Sequence, residues 1–219
     1  MNKLISIIFL LISLDNFSQG FEGFISYKIT HNSLDTSINE ISTMPTKLDF
    51  YISGELARIE QSTKIGTQRT IIDTLLKRST LLINLMDKKI GIILSDIDTT
   101  DLENIIYTDE SEIFLGIECE KAIVNSINKK TNRSTTSTIY YTNEIDNSYN
   151  INFKKLKGFP IYYEIISDKI ISTYLATVIT KKNIEEFVFV IYLQTWKKDG
   201  YFFTIVFLFP ARPRVFESL

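Results

Sequence analysis

Residues 47–62 read KLDFYISGELARIEQS. Leu48, Phe50 and Ile52 alternate up to Gly54, and a second short apolar run follows it. Glycine takes the positive φ of a tight turn without steric cost. The stretch therefore predicts a hairpin of two short strands. Downstream lie QRTIID (68–73), STLLINLM (79–86) and KIGIILSD (89–96), separated by TLLKR and DK. Links of that length favour antiparallel neighbours, so this block predicts a β-meander. Upstream, FISYKIT (24–30) places Ile25, Tyr27 and Ile29 on one face and Ser26, Lys28 and Thr30 on the other. That is the pattern of a half-buried strand. Residues 31–46 are polar and contain Pro45, which predicts a long connection.

Beyond the meander, residues 97–112 are rich in acid and predict a loop with one short helix at LENII (102–106). GIECEKAIVNS (116–126) and STIYYTN (137–143) predict a hairpin. Residues 144–160 are irregular and end in Gly158–Phe159–Pro160. IYYEIIS (161–167) and ISTYLATVIT (171–180) predict another hairpin, and EEFVFVI (185–191) a last strand. Composition agrees: 36 isoleucines against 4 alanines, with 11 tyrosines and 15 phenylalanines, favour a pleated surface over helix. The expected fold is mainly β, α+β at most. It is a strongly curved antiparallel sheet or incomplete β-barrel built as a meander, with one or two short helices. A large sheet must pack or close, because open edges invite aggregation.

The first twenty residues carry Lys3, an apolar run from Leu4 to Leu14, and small residues Ser18 and Gly20 before Phe21. That order is the pattern of a secretory signal peptide, and the run is far short of the ~20 residues of a spanning helix. The expected organisation is a signal peptide over 1–20, one domain over 21–191, and an atypical apolar tail over 192–219. The expected location is periplasm or cell envelope, or outside the cell, with no stable membrane-spanning helix in the mature chain. Net charge is −2, which gives no reason to expect nucleic acid. Within the tail, YFFTIVFLF (201–209) fits a strand buried on both faces or an exposed, aggregation-prone segment. It also fits sequence foreign to the domain, such as the product of a frame change after Ile191. On that last reading the domain is complete at Ile191.

The residues for familiar catalytic chemistry are sparse. His31 is the only histidine and Cys119 the only cysteine. A nucleophile needs a base and an orienting acid within reach, and no local signature of such a site surrounds either residue. No nucleophile elbow, phosphate loop or zinc-protease motif occurs. The acidic residues Asp96, Asp98, Asp101, Glu103, Asp109, Glu110 and Glu112 are the one candidate metal cluster; Asp96, Asp98 and Asp101 lack the frame of a calcium loop, and the stretch reads as solvated. Lys154, Lys155 and Lys157 read as a solvated turn. The expectation is no enzyme, with no catalytic, cofactor or metal residues.

Three phrases carry a resemblance: GIECEKA (116–122), IYYTNEI (139–145) and LKGFPIYYEI (156–165). Together they resemble the GLPGLI-type family of exported bacterial proteins of unknown function. Gly116, Cys119, Lys121 and Ala122 match its first phrase, Tyr141 and Thr142 its second, and Gly158 and Pro160 its third. Phe159 stands where leucine is commoner. Arg58 matches the arginine of a strand–glycine–arginine hairpin. The resemblance covers roughly residues 21–191 and stops before the tail. It implies a fold similar to the periplasmic lipoprotein carriers, an incomplete barrel whose concave face can hold acyl chains. It offers no catalytic residues, and fold alone does not fix function.

One cysteine in an exported chain cannot make an internal disulfide. Ile117, Cys119 and Ile123 share a face, with Lys121 as the exception whose ammonium reaches the rim. That face is expected to point inward, with Glu118, Glu120, Ala122 and Val124 outward. A thiol so placed behaves as a small inert hydrophobe. Besides a hydrolase whose site the sequence does not reveal, two functions remain open. One is a carrier or sensor for a lipid or other apolar ligand. The other is a structural module of the envelope that binds another protein and has a filled core.

Overall fold

A computed structural model describes residues 20–34, 40–85, 88–95, 102–128, 133–167, 169–190, 197–198 and 201–202. All of the expected signal peptide but Gly20, and nearly all of the tail, lie outside these residues. The chain forms β1 (Gly23–Ser33), β2 (Lys47–Ser53), β3 (Leu56–Thr63), β4 (Gly66–Asp73), β5 (Arg78–Leu85) and β6 (Lys88–Ser95). These are followed by β7 (Leu102–Phe114), β8 (Ile117–Asn128), β9 (Arg133–Thr142), β10 (Phe159–Ser167) and β11 (Ile170–Lys181). All eleven join one antiparallel sheet in the order β6-β5-β4-β3-β2-β1-β11-β10-β9-β8-β7. The protein is mainly β, as its composition implies, and the sheet is not closed.

The order is a meander cut between β6 and β7 and joined through β1 and β11. Neighbours alternate in direction, so in an eleven-strand sheet the two edge strands run the same way. A parallel pair needs a crossover of a dozen or more residues. Only residues 96–101 separate β6 from β7, so the opening is fixed by strand parity and link length. The same link forces the sheet to curl. Laid flat, ten strand spacings of ~4.8 Å would put the edges roughly 48 Å apart. Residues Ser95 and Leu102 are seven residues apart and can reach at most about 25 Å.

The inner face can be followed by register. One row runs Ile25, Phe50, Ile59, Thr70, Leu81, Ile92, and the next runs Ile52, Ala57, Ile72, Ser79, Leu94. Ile25, Tyr27, Leu48, Phe50 and Ile52 are all buried, as the alternation predicts. Burial fades towards the β6 edge, where Ile90 and Ile92 are 45% and 41% exposed.

Several expectations are corrected. Residues 102–114 are the edge strand β7, not an acidic loop with a helix. Its charged side chains are tolerated because an edge strand meets water, and they also discourage edge pairing. The apolar run at 185–191 is not a strand: Glu186–Phe189 form a 3-10 turn, with Phe189 buried and Phe187 exposed. Further 3-10 turns lie at Glu40–Thr43 and Asn147–Tyr149, and no longer helix occurs among the described residues. His31 sits on β1, half-buried rather than solvated in a loop, with Nδ1 against Ser172 Oγ at 2.9 Å and Nε2 against the Pro45 carbonyl at 2.8 Å. In the tail, Lys197–Lys198 pair with Tyr201–Phe202 as a two-residue ladder.

Two turns explain two glycines. Gly54 has φ +56° between β2 and β3. Between β7 and β8, Leu115 (φ +53°) and Gly116 (φ +81°) form a two-residue connection with both central residues left-handed. Only glycine, asparagine and aspartate fit such positions readily. Leu115→Asn is expected to stabilise the protein by about 0.5–1 kcal/mol, and Gly116→Ala to cost about 1 kcal/mol. Urea midpoints of the two variants check this. A Leu115→Asn variant with the wild-type midpoint would show that Leu115 bears no strain.

Candidate functional site

Residues 143–158, between β9 and β10, form a strap across the inner face. Ile145, Tyr149, Phe153 and Leu156 are buried in the main core. Tyr149 Oη donates to the Gly54 carbonyl at the β2–β3 turn. Phe153 meets the Tyr163 ring edge-on, with centroids 5.4 Å apart. The strap ends on β7, where Tyr107 Oη reaches the Lys155 carbonyl and Lys157 Nζ lies 4.2 Å from the Tyr107 ring centre. Lys157 is thus engaged with an aromatic face rather than simply solvated.

The strap leaves two cavities beside it, which share Asn150 and Ile151. The smaller, about 170 Å³, has aromatic walls from Tyr27, Phe50 and Tyr163 and polar groups from Gln61, Gln68 and Asn152. The larger, about 270 Å³, lies against Ile72, Ser79 and Leu94 and the β4–β5 turn. Asn150 shapes both. Its Oδ1 accepts from the Asn152 and Phe153 amides at 2.9 and 3.2 Å, which fixes the orientation of the amide. Its buried Nδ2 then meets no acceptor. Asn147 is the mirror case: Nδ2 donates to the Phe153 and Leu156 carbonyls, and its buried Oδ1 meets no donor. An orphaned buried polar atom carries a free-energy cost and marks a place to look for a ligand or water.

The residues of the resemblance fall elsewhere, on three adjacent strands. Glu120 on β8 stands opposite Tyr141 on β9, which stands opposite Pro160 on β10. Tyr141 Oη donates to Glu120 Oε2 at 2.7 Å. Pro160 lies at a bulge with Ile161 as the extra residue, and its carbonyl accepts from Tyr27 Oη at 2.5 Å. Thr142 Oγ1 caps the start of the strap by accepting the Glu144 amide. Gly158 packs on the Thr142 carbonyl and Tyr141. This cluster anchors both ends of the strap. Only Pro160 and its partner Tyr27 also touch a cavity. Arg58 is separate, on the opposite face of the sheet. It binds Glu60 and donates to the Val188 carbonyl at 2.9 Å, tying down the 186–189 turn. Hydrogen bonds from Arg69 and Arg58 hold the Glu60 carboxyl below its usual range although burial opposes them.

No protein-family model and no curated protein matches this chain. Among the described residues, no group of three or more histidine, cysteine or acidic side chains is placed to hold a metal, and no helix is long and apolar enough to cross a membrane.

Cys119 is fully buried, as expected, but the facing of its strand is not the expected one. Ala122 and Val124 are the buried residues, opposite Ile139 and Ser137, while Ile117 and Ile123 are half-buried. The break in alternation between Cys119 and Ala122 lies opposite a register irregularity in β7 between Tyr107 and Ser111. Lys121 reaches Glu110 at 2.7 Å, consistent with a stem on the sheet and a head at the rim. Burial pushes the Cys119 thiol up to about 11, only partly offset by the Phe114 backbone. The thiol is expected to resist a water-soluble alkylating reagent until the protein is denatured. Cys119→Ala should cost on the order of 1 kcal/mol. Rapid native labelling would overturn the burial.

Proposed function

We propose that this is an exported, non-catalytic binding protein of the cell envelope whose inner sheet face takes an apolar or lipid-like ligand. The observation that supports it is the wing of the inner face on β5 and β6, where Ile90 and Ile92 are exposed and Leu81, Ile83 and Leu94 half-buried. Leu81, Ile83, Ile90, Ile92 and Leu94 form a continuous apolar surface beyond the strap, and Leu94 lines the larger cavity. Exposed apolar surface that is continuous with a cavity is the usual mark of a binding groove. The parity of the sheet keeps the adjoining edge open. The resemblance to a GLPGLI-type family points the same way.

Export rests on the order of charged, apolar and small residues in 1–20. N-terminal sequencing of the envelope-fraction protein is expected to begin at or within a residue or two of Phe21, and intact Met1 would overturn export.

A second reading, a filled module that binds another envelope protein, is favoured by the strap itself. Tyr149, Phe153 and Leu156 occupy the centre of the face where a ligand would otherwise lie. Both cavities are also smaller than the ~300–1,000 Å³ of ordinary ligand pockets. Native mass spectrometry after detergent-free purification separates the two. Co-purified lipid supports the carrier; a bare polypeptide mass, with no uptake of added fatty acid, supports the filled module.

A further inference from the structure

The larger cavity differs chemically from the wing that runs into it. Its outer wall is the β4–β5 turn, which contributes Lys77 and Arg78 together with Asp73. Asp73 accepts the Leu76 amide at 2.8 Å, so its carboxylate is occupied in shaping the turn. Arg78 is half-buried and has no hydrogen bond or ion pair among the described residues. Lys77 holds φ +48° at the cavity's mouth. From the strap side come the orphaned Asn150 Nδ2 and the orphaned Asn147 Oδ1. Three cations, Lys77, Arg78 and Lys154 of the strap, thus line one small space, and a buried unpaired donor and acceptor stand beside it.

From that space an apolar stripe leads away along β5 and β6, with Thr70 and Gln68 of β4 beside it. Ser79 and Leu94 stand opposite each other, then Leu81 and Ile92, then Ile83 and Ile90. Four strand rises, from Ser79 to Ile83, give a stripe roughly 13–14 Å long.

We infer that the larger cavity is the head-group subsite for an anionic amphiphile: Arg78, Lys77 and the Asn150 amide take a carboxylate or phosphate, and the chain lies along Leu94, Leu81, Ile92 and Ile83. This rests on the carrier reading above and assigns that site its ligand class. Guanidinium and amide donors form charge-assisted hydrogen bonds to such a head group, stronger than those to a neutral ester. The Asn147 acceptor suits a hydroxyl on the same head group.

The test is calorimetric titration of the delipidated full chain with dodecanoate, dodecyl phosphate, methyl dodecanoate and acetate, each below its micellar concentration. Dodecanoate or dodecyl phosphate is expected to bind about tenfold or more tightly than the methyl ester, with acetate weak. Whichever acid binds tighter identifies the head group. Arg78→Gln should remove most of the acid–ester difference while leaving ester affinity unchanged. Raised salt should narrow the difference in wild type. Melting curves confirm that the variant is folded, and Lys77→Gln gives a second, surface-exposed variant with the same expected direction. Equal affinity for acid and ester would overturn the head-group assignment while leaving the apolar carrier intact. Acetate binding as tightly as dodecanoate would overturn the amphiphile. Binding of none of the four would overturn the carrier reading itself.

Discussion

Gly158→Val is expected to cost about 3 kcal/mol or more, at the upper end of overpacking effects. A Cβ built on Gly158 would sit 2.3 Å from the Thr142 carbonyl oxygen, 2.7 Å from its carbon and 2.8 Å from Tyr141 Cδ2. Two of those atoms are backbone, so no rotamer change relieves the clash. Gly158 does not have the left-handed backbone that its place beside Pro160 suggests: among the described glycines only Gly54 and Gly116 have positive φ. Its requirement is the close approach of the two strap ends. Phe159→Leu, next door, should cost only about 1–2 kcal/mol, since it removes part of a buried ring that meets Phe50. Melting temperature gives the comparison directly, with about 2–4 °C expected per kcal/mol in a chain of this size. A valine variant that melts with wild type would mean that the strap's exit can shift freely, and the anchor described above would be wrong.

Alkali is expected to destabilise the protein steeply. Burial raises the Cys119 thiol to about 11 from an ordinary 9.0, and holds Tyr27 and Tyr163 well above 10.0. Burial, then hydrogen bonding to a carboxylate, raises Tyr141 beside Glu120 and Tyr162 beside Glu164. All of these groups keep their protons longer in the folded chain than in the unfolded one. Their contribution is therefore whole below the unfolded values and is lost as pH rises through the folded ones. The loss begins near pH 9 with the thiol and grows from about pH 10 as unfolded tyrosines ionise. Each fully shifted group removes about 1.4 kcal/mol per pH unit in that window, so Tyr27, Tyr163 and the thiol, which contributes about half a proton at its own folded value, together account for roughly 3 kcal/mol per unit near pH 11. Melting curves from pH 7 to 12 test this, with Tyr27→Phe expected to flatten the slope by one proton. A melting temperature constant between pH 8 and 11.5 would refute it.

The central strands were legible because their physics is local. In β2, Leu48, Phe50 and Ile52 are separated by residues that can face water, and Gly54 supplies the turn. The same reasoning misread β7, whose charge looked like a loop, because composition does not distinguish a solvated connection from a sheet edge. It also misread 185–191, where Phe187 and Phe189 alternate as they would in a strand but sit on a 3-10 turn. Cys119 was correctly buried for a partly wrong reason: Ala122 and Val124 are buried as well, and the break in alternation falls opposite the irregular stretch between Tyr107 and Ser111 of the neighbouring strand, which nothing in β8 itself records. The cavities were the least legible feature. Asn147, Asn150 and Arg78 come from distant parts of the chain and meet only because the strap lies across β4. The one available hint was asparagines and aromatic residues interleaved in a stretch with no strand periodicity.

The pairing of β1 with β11 has a consequence for how the chain folds. Every other strand pair in the sheet joins sequence neighbours, so residues 23–95 and 102–181 can each zip up hairpin by hairpin with little loop-closure entropy. The β1–β11 seam alone must bring together segments such as Ile25 and Ile179 from opposite ends of the domain. The rate-limiting search is then the docking of two preformed meanders. Substitutions along the seam should slow folding, whereas those in β3 or β4 should chiefly hasten unfolding.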